Sequence, residues 1–220
     1  MTVIYFWGEE DASIHFCEDK YVLVSWIAEY YNTLSSLFYV IVGLMFLKTR
    51  ISNLGKCLIL VGIGAFALHM TLRKYAQMID ELSMLVLSFD AIRNVKSLKR
   101  RWLLPILFAY FLLHEWFVYF FIVFGLFQVY IAYTGLKISY SSKGPTIRRF
   151  RCFVIGYVIM FCVAFVCWLC DQFACDYFKE WQMHALWHLF TSLAGGSGFL
   201  ALINLPSSLD NDMVVKVHAK

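Results

Sequence analysis

WLLPILFAYFLLHEWFVYFFIVFGLFQVYIAYTGL, residues 102–136, is a 35-residue apolar run bounded by Arg101 and Lys137. His114 and Glu115 are its one charged or strongly polar pair. A spanning helix needs about 20 mostly apolar residues, so two spans and a turn want about 40. Read as two spans turning at 114–115, this run completes a set of seven candidates: 25–47, 57–72, 75–92, 102–113, 116–136, 153–170 and 183–205. Read as one tilted helix, it leaves six.

Charge in the flanking loops separates the two counts. Loop 48–56 carries Lys48, Arg50 and Lys56. Loop 93–101 carries Arg93, Lys96, Lys99, Arg100 and Arg101. Loop 137–151 carries Lys137, Lys143, Arg148, Arg149 and Arg151. None of the three holds an acid. Seven helices put all three loops on one side of the membrane, whereas six send the third across. Basic short loops stay cytosolic. The reading is therefore an all-α, seven-transmembrane helix bundle with the N-terminus lumenal or outside and the C-terminus cytosolic. Its parts are a lumenal segment 1–24, a membrane domain 25–205 and a polar cytosolic tail 206–220. The stretch 139–149, SYSSKGPTIRR, reads as a flexible cytosolic loop.

Composition agrees. Hydrophobic residues make up 61% of the 220, aromatics 19% and charged residues 15%. A soluble domain has a charged fraction nearer a quarter. The net charge of +4 belongs to loop orientation, not to nucleic-acid binding. Glu9, Glu10, Asp11, Glu18 and Asp19 crowd the first 24 residues. No basic start and apolar stretch of a cleavable signal is visible there, so the first apolar run is expected to act as signal and anchor. The seven Cys do not form the two CxxC pairs of a zinc ribbon. Cys57, Cys162 and Cys167 read as small buried hydrophobes.

The chemistry lies in histidines. In QMHALWHLF (182–190), His184 and His188 stand at i and i+4 on one helix face. That spacing can give two ligands to one metal. Alone, the pair is equally two polar residues at a helix start. His69, in GIGAFALHMTL, lies near the outer end of the second helix. Asp80 and Glu81, in QMIDELSM, lie near the outer end of the third. The topology drawn from loop charge alone brings all three histidines and Asp80 to one membrane face. Ionisable groups in spans are costly and point to function. Three imidazoles with an open fourth position are the pattern of catalytic zinc. Asp80 is placed to bond a metal-bound water or a ligating imidazole. His114 and His218 read as an interfacial turn and a tail residue.

LHMTLRKYAQMIDELSM (68–84) resembles the alkaline ceramidase stretch that reads F-H-M-T-L, a spacer, then L-D-E-L. HALWH (184–188) is similar to that family's final His-x-x-x-His. SIHFCEDKYVLVSWIAEYYNT (13–33) resembles its opening S-T-L-D-W-C-E-E-N-Y…W-Y-I-A-E-F-W-N-T. WLCDQFAC (168–175) matches its W-x-x-D-x-x-x-C. The blocks run in order across nearly the whole chain. The resemblance implies seven transmembrane helices and zinc-dependent hydrolysis of the ceramide amide bond. It implies zinc on His69, His184 and His188, an active-site Asp80, and a lumenal disulfide between Cys17 and Cys175. It also implies an endomembrane address, endoplasmic reticulum or Golgi, with ceramide-type and membrane lipids as partners.

The chain departs from the family at two sites. Ala65 stands where the family has a Ser four residues before the first zinc histidine. Losing one oxyanion donor costs about 10²–10³ in rate, so activity is weakened, rerouted through a hydroxyl such as Thr71, or absent. At the positions of the family's calcium site, its Asp becomes His15, its Trp becomes Phe16 and its Asn becomes Lys20, while Glu18 and Glu29 remain. Calcium wants six to eight oxygens, and two side-chain oxygens are gone. The expectation is that Lys20 pairs with Glu18, Glu29 or both, and that no calcium is needed. The leading function is thus zinc-dependent ceramide hydrolysis. The alternative is a lipid-binding receptor or pseudoenzyme of the same fold. A transporter is disfavoured, because no ionisable residue stands at the middle of a span.

Overall fold

The structure is a computed structural model describing residues 6–96, 98–142 and 144–205; the tail 206–220, His218 and Lys143 fall outside these. It contains α1 (Tyr30–Ser35), α2 (Leu37–Met45), α3 (Ser52–Thr71), α4 (Lys74–Arg93), α5 (Leu103–Leu113), α6 (Phe117–Ser141), α7 (Pro145–Phe173), α8 (Cys175–Phe178) and α9 (Met183–Ile203). No strand occurs among the described residues. Among the described residues, four helical stretches are long and apolar enough to cross a membrane: Ser52–Thr71, Phe117–Ser141, Ile147–Phe173 and Met183–Ile203. Large apolar side chains such as Leu104, Phe108, Leu126 and Val129 face outward, as a lipid-bathed surface permits.

Residues 102–136 do divide. Helix α5 ends at Leu113, and Trp116 is extended before α6 begins. Lys74 Nζ holds the break, donating to the His114 carbonyl (2.9 Å) and to Glu115 Oε2 (3.3 Å). With 11 residues, α5 is about 16 Å long at 1.5 Å per residue, shorter than a bilayer core. Tyr119 Oη donates to the Ile106 carbonyl at 3.0 Å, folding α6 back against α5.

Three expected boundaries move. Residues 25–29 are not helical, and Glu29 is extended. The Ala28 and Glu29 amides bond instead to the carbonyls of Met70 and His69, so the chain enters α1 across the end of α3. Helix α3 starts at Ser52 rather than 57. Most of the expected loop 137–151 is helix, with α6 running to Ser141 and α7 starting at Pro145 after Gly144 at φ +130°. Pro at the first helical position is preorganised for a start, and basic side chains are good helix formers in water. Arg151 ties the two ends by donating to the Ser139 carbonyl.

Helices α3 and α4 form a hairpin. Leu72 ends α3 in the left-handed region, φ +52°, with its amide on the Leu68 carbonyl. The Leu72 carbonyl accepts the amides of Asp11 and Ala12. Ser13 and Gln77 are hydrogen-bonded, and Ile14 and Phe16 pack with Leu68 and Ala76. The N-terminal segment is thus docked over one end of the bundle. At the other end, Arg50 bonds the Leu202 carbonyl at the finish of α9, and Asp90 clamps Arg93 and Arg100 at the finish of α4.

Candidate metal centre

His69 lies in the last turn of α3; His184 and His188 lie in the first two turns of α9. All three are buried. One ring nitrogen from each lies within 4.8 Å of the others, so the group could hold a metal ion. Ring centroids are 4.7–4.9 Å apart. Phe16 covers the cluster, with its ring centroid 4.1 Å from that of His184 and 4.7 Å from that of His69.

Each imidazole has a neighbour on its Nδ1 side. Glu29 Oε2 lies 2.6 Å from His69 Nδ1. Ser35 Oγ lies 2.8 Å from His188 Nδ1. Asp171 Oδ2 is 3.9 Å from His184 Nδ1, beyond a hydrogen bond, and that nitrogen has no hydrogen-bond partner. With the Nδ1 atoms of His69 and His188 engaged, their Nε2 atoms remain for a ligand. Carboxylates and hydroxyls that orient metal-binding imidazoles in this way fix the tautomer and raise ligand basicity. Glu29 and Ser35 are so placed for His69 and His188, whereas Asp171 lies near His184 without bonding it. The aspartate stood in the quoted WLCDQFAC, but nothing in the sequence singled out Ser35 from its neighbour Ser36.

Asp80 and the three histidines share the wall of one cavity of about 540 Å³. Asp80 Oδ1 is shielded from solvent and has no hydrogen-bond partner. Its neighbour Glu81 is committed elsewhere, to Tyr110 Oη and Gln77 Nε2 at 2.6 Å each. The rest of the wall is mostly apolar, including Phe120, Phe121, Phe124, Phe161, Phe165 and Trp168. Ala65 also lines this cavity, one turn before His69. Thr71 does not, since its hydroxyl donates to the Ala67 carbonyl at 2.7 Å. The hydroxyls on the wall are those of Tyr39 and Tyr157, which bond Thr191 Oγ1 and Gln128 Oε1. A donor set of three neutral-capable imidazoles, with an unpartnered carboxylate oxygen on the same cavity, fits a catalytic transition metal of the zinc type.

The remaining expected positions surround Lys20. Its ammonium donates to the Phe16 carbonyl (2.7 Å), the Glu18 carbonyl (2.8 Å) and Glu29 Oε1. It does not bond the Glu18 carboxylate, which accepts the amides of Tyr31 (2.7 Å) and Asn32 (2.9 Å). Burial pushes the Glu18 carboxyl above its ordinary range, and those two amides oppose the shift. His15 is exposed. Cys17 and Cys175 are joined as a disulfide with Cα atoms 5.5 Å apart, binding the N-terminal segment to the α7–α9 connection.

Four helices fit to cross a membrane, closing over a buried three-histidine group that could hold a metal, place the chain among helical membrane proteins with an interior metal-type site. It belongs to the ceramidase family: the family model for Ceramidase matches residues 8–217. The chain is 29% identical over 209 residues to an alkaline ceramidase of Arabidopsis thaliana, covering 85% of this chain and 81% of that protein. It is 25% identical over 224 residues to alkaline ceramidase 3 of Mus musculus, covering 86% and 81%. It is 25% identical over 251 residues to an alkaline ceramidase of Caenorhabditis elegans, covering 96% and 86%.

Proposed function

We propose that this protein hydrolyses the amide bond of ceramides to a sphingoid base and a fatty acid, with zinc held by His69, His184 and His188. The observation that carries the reading is the junction of three buried imidazoles and the unpartnered Asp80 Oδ1 with one largely apolar cavity, in a chain of the ceramidase family. Zinc in such a site supplies Lewis-acid polarisation of a carbonyl and a lowered pKa for water. Glu29 and Ser35 hold two of the imidazoles in register through Nδ1. Asp80 takes the proton of the attacking water at Oδ1 and delivers it to the leaving amine nitrogen. The Phe-rich wall receives an acyl or sphingoid chain and keeps bulk water from the reacting amide. Phe16 closes the site from above.

A lipid-binding receptor or pseudoenzyme is the second reading, favoured by Ala65, which brings no hydroxyl to the cavity wall. One assay separates the two. Purified protein is given a labelled ceramide with and without a zinc chelator, alongside metal analysis. The first reading expects about one zinc per chain and turnover abolished by the chelator. Bound zinc with no turnover on any ceramide would establish the second. A well-folded wild type without zinc ends both.

The membrane arrangement belongs to the same proposal: seven spans, N-terminus lumenal, C-terminus cytosolic, domain limits near 25 and 205, and an endoplasmic reticulum or Golgi address. Its support is the basic loops lying at the helix ends opposite the histidines. Calcium does not fit this chain. Lys20 sits between the oxygens that would face the ion, and unit charges about 4 Å apart interact by roughly 4 kcal/mol at an effective dielectric of about 20, so ammonium and dication exclude each other.

A further inference from the structure

Glu29 is the least exposed carboxylate at the centre, at 0%, and its two oxygens face in different directions. Oε2 meets His69 Nδ1 at 2.6 Å and Asn32 Nδ2 at 3.1 Å. Oε1 meets the Lys20 ammonium. A buried carboxylate is held in one orientation only while both oxygens are satisfied. Lys20 therefore determines which way Glu29 can turn, and Glu29 determines which way His69 can turn. The same ammonium gathers the carbonyls of Phe16 and Glu18, closing the loop that sets the Phe16 ring on His69 and His184. Its side chain is 21% exposed, so this is a partly wetted cation with three oxygen acceptors on its inner side, not a solvated surface lysine.

We infer that Lys20 is a positioning residue of the metal centre, an internal cation that acts through Glu29 to hold His69 in its ligating orientation. The inference rests on the metal reading of the three histidines, and it adds a residue that touches neither metal nor substrate. Lys20 does this without leaving the N-terminal segment, whose attachment is secured separately by the disulfide between Cys17 and Cys175. A loss in the K20M variant is then traceable to the carboxylate and not to release of the segment.

The test is zinc affinity, read by competition with a chromophoric chelator on purified wild type, K20M, E29Q and the K20M/E29Q double variant. The disulfide is verified by mass spectrometry in each. Outer-shell changes at metal-binding histidines typically cost about 10–100-fold in affinity, so K20M and E29Q are each expected to weaken zinc by that factor. Because Lys20 acts through Glu29, the double variant is expected to be no weaker than the worse single. Should K20M not fold, K20Q, which keeps N–H donors and loses the charge, reads the same quantity. K20M or K20Q binding zinc within twofold of wild type overturns the inference. So do losses that multiply in the double variant, since Lys20 would then serve only to staple its loop. A folded wild type that takes up no zinc sinks the metal reading, and this inference with it; zinc bound tightly by wild type and variant alike sinks this inference alone.

Discussion

Gly64 on α3 lies directly against the backbone of Asp80 on α4: a Cβ built on Gly64 would stand 2.7 Å from the Asp80 Cα and 2.8 Å from its amide nitrogen. Helices approach this closely only where a side chain is missing. A close approach of α3 to α4 thus falls at the level of the candidate catalytic carboxylate. Gly64 also directly precedes Ala65 on α3 and lies five residues before His69.

Replacing Gly64 by Val is therefore expected to push α4 outward and carry Asp80 with it. Overpacking of this kind costs about 1–3 kcal/mol. The expected outcome is a lower unfolding midpoint in detergent, with ceramide turnover lost and zinc still bound, because no histidine sits on α4. Wild-type turnover in Gly64→Val would remove Asp80 from the chemistry.

Ala65→Ser is expected to raise turnover. Position 65 shares the cavity wall with His69, so a hydroxyl there faces the reacting amide. One such donor is worth about 10²–10³ in rate; a gain of at least about tenfold, with zinc content unchanged, is the expected result. Steady-state kinetics on both proteins decide it. No gain would mean that another wall group, such as the Tyr39 hydroxyl, already serves.

Calcium is expected to leave both thermal stability and activity of the wild type unchanged, and a calcium-selective chelator likewise. His15→Asp together with Lys20→Asn removes the ammonium and adds oxygen ligands. That variant is expected to melt higher with calcium than without it. Strong calcium stabilisation of the wild type would refute the exclusion argued from Lys20.

Topology is open to a direct check. A glycosylation acceptor fused ahead of the N-terminus is expected to be modified, and one placed after Asn211 is not. Modification at both sites or at neither would mean an even number of spans, with α5 no span of its own, since its 11 residues make it the element to lose; the opposite pattern would invert the bundle.

Much of this was legible before any fold was known. Apolar runs bounded by basic loops announce membrane helices because the cost of burying charge in lipid is large and local. His69, His184, His188 and Asp80 could be brought to one face because helix direction alternates with each crossing, so the end of a helix on which a residue lies follows from counting. Cys17 and Cys175 were paired through a resemblance spanning the chain. Some boundaries were less legible. The helix expected to begin at 25 begins at Tyr30, because the residues before it spend their amides on the end of α3. The loop expected at 139–149 is mostly helix, because charge stops a helix from lying in lipid but not from extending beyond it.

What the sequence determines by itself here is composition, periodicity and the placing of ionisable groups at helix ends, all of which follow from short-range chemistry along the chain. Which group steadies which histidine is decided by tertiary structure alone. Glu29 reaches His69 across 40 residues and Ser35 reaches His188 across 153. Lys20 bonds Glu29 and two carbonyls rather than the Glu18 carboxylate, because the amides at the start of α1 have already claimed that group. Such choices depend on ångström differences in how helices pack. They are invisible in a linear pattern, because hydrogen bonds fall off within a fraction of the distance that hydrophobic periodicity can specify.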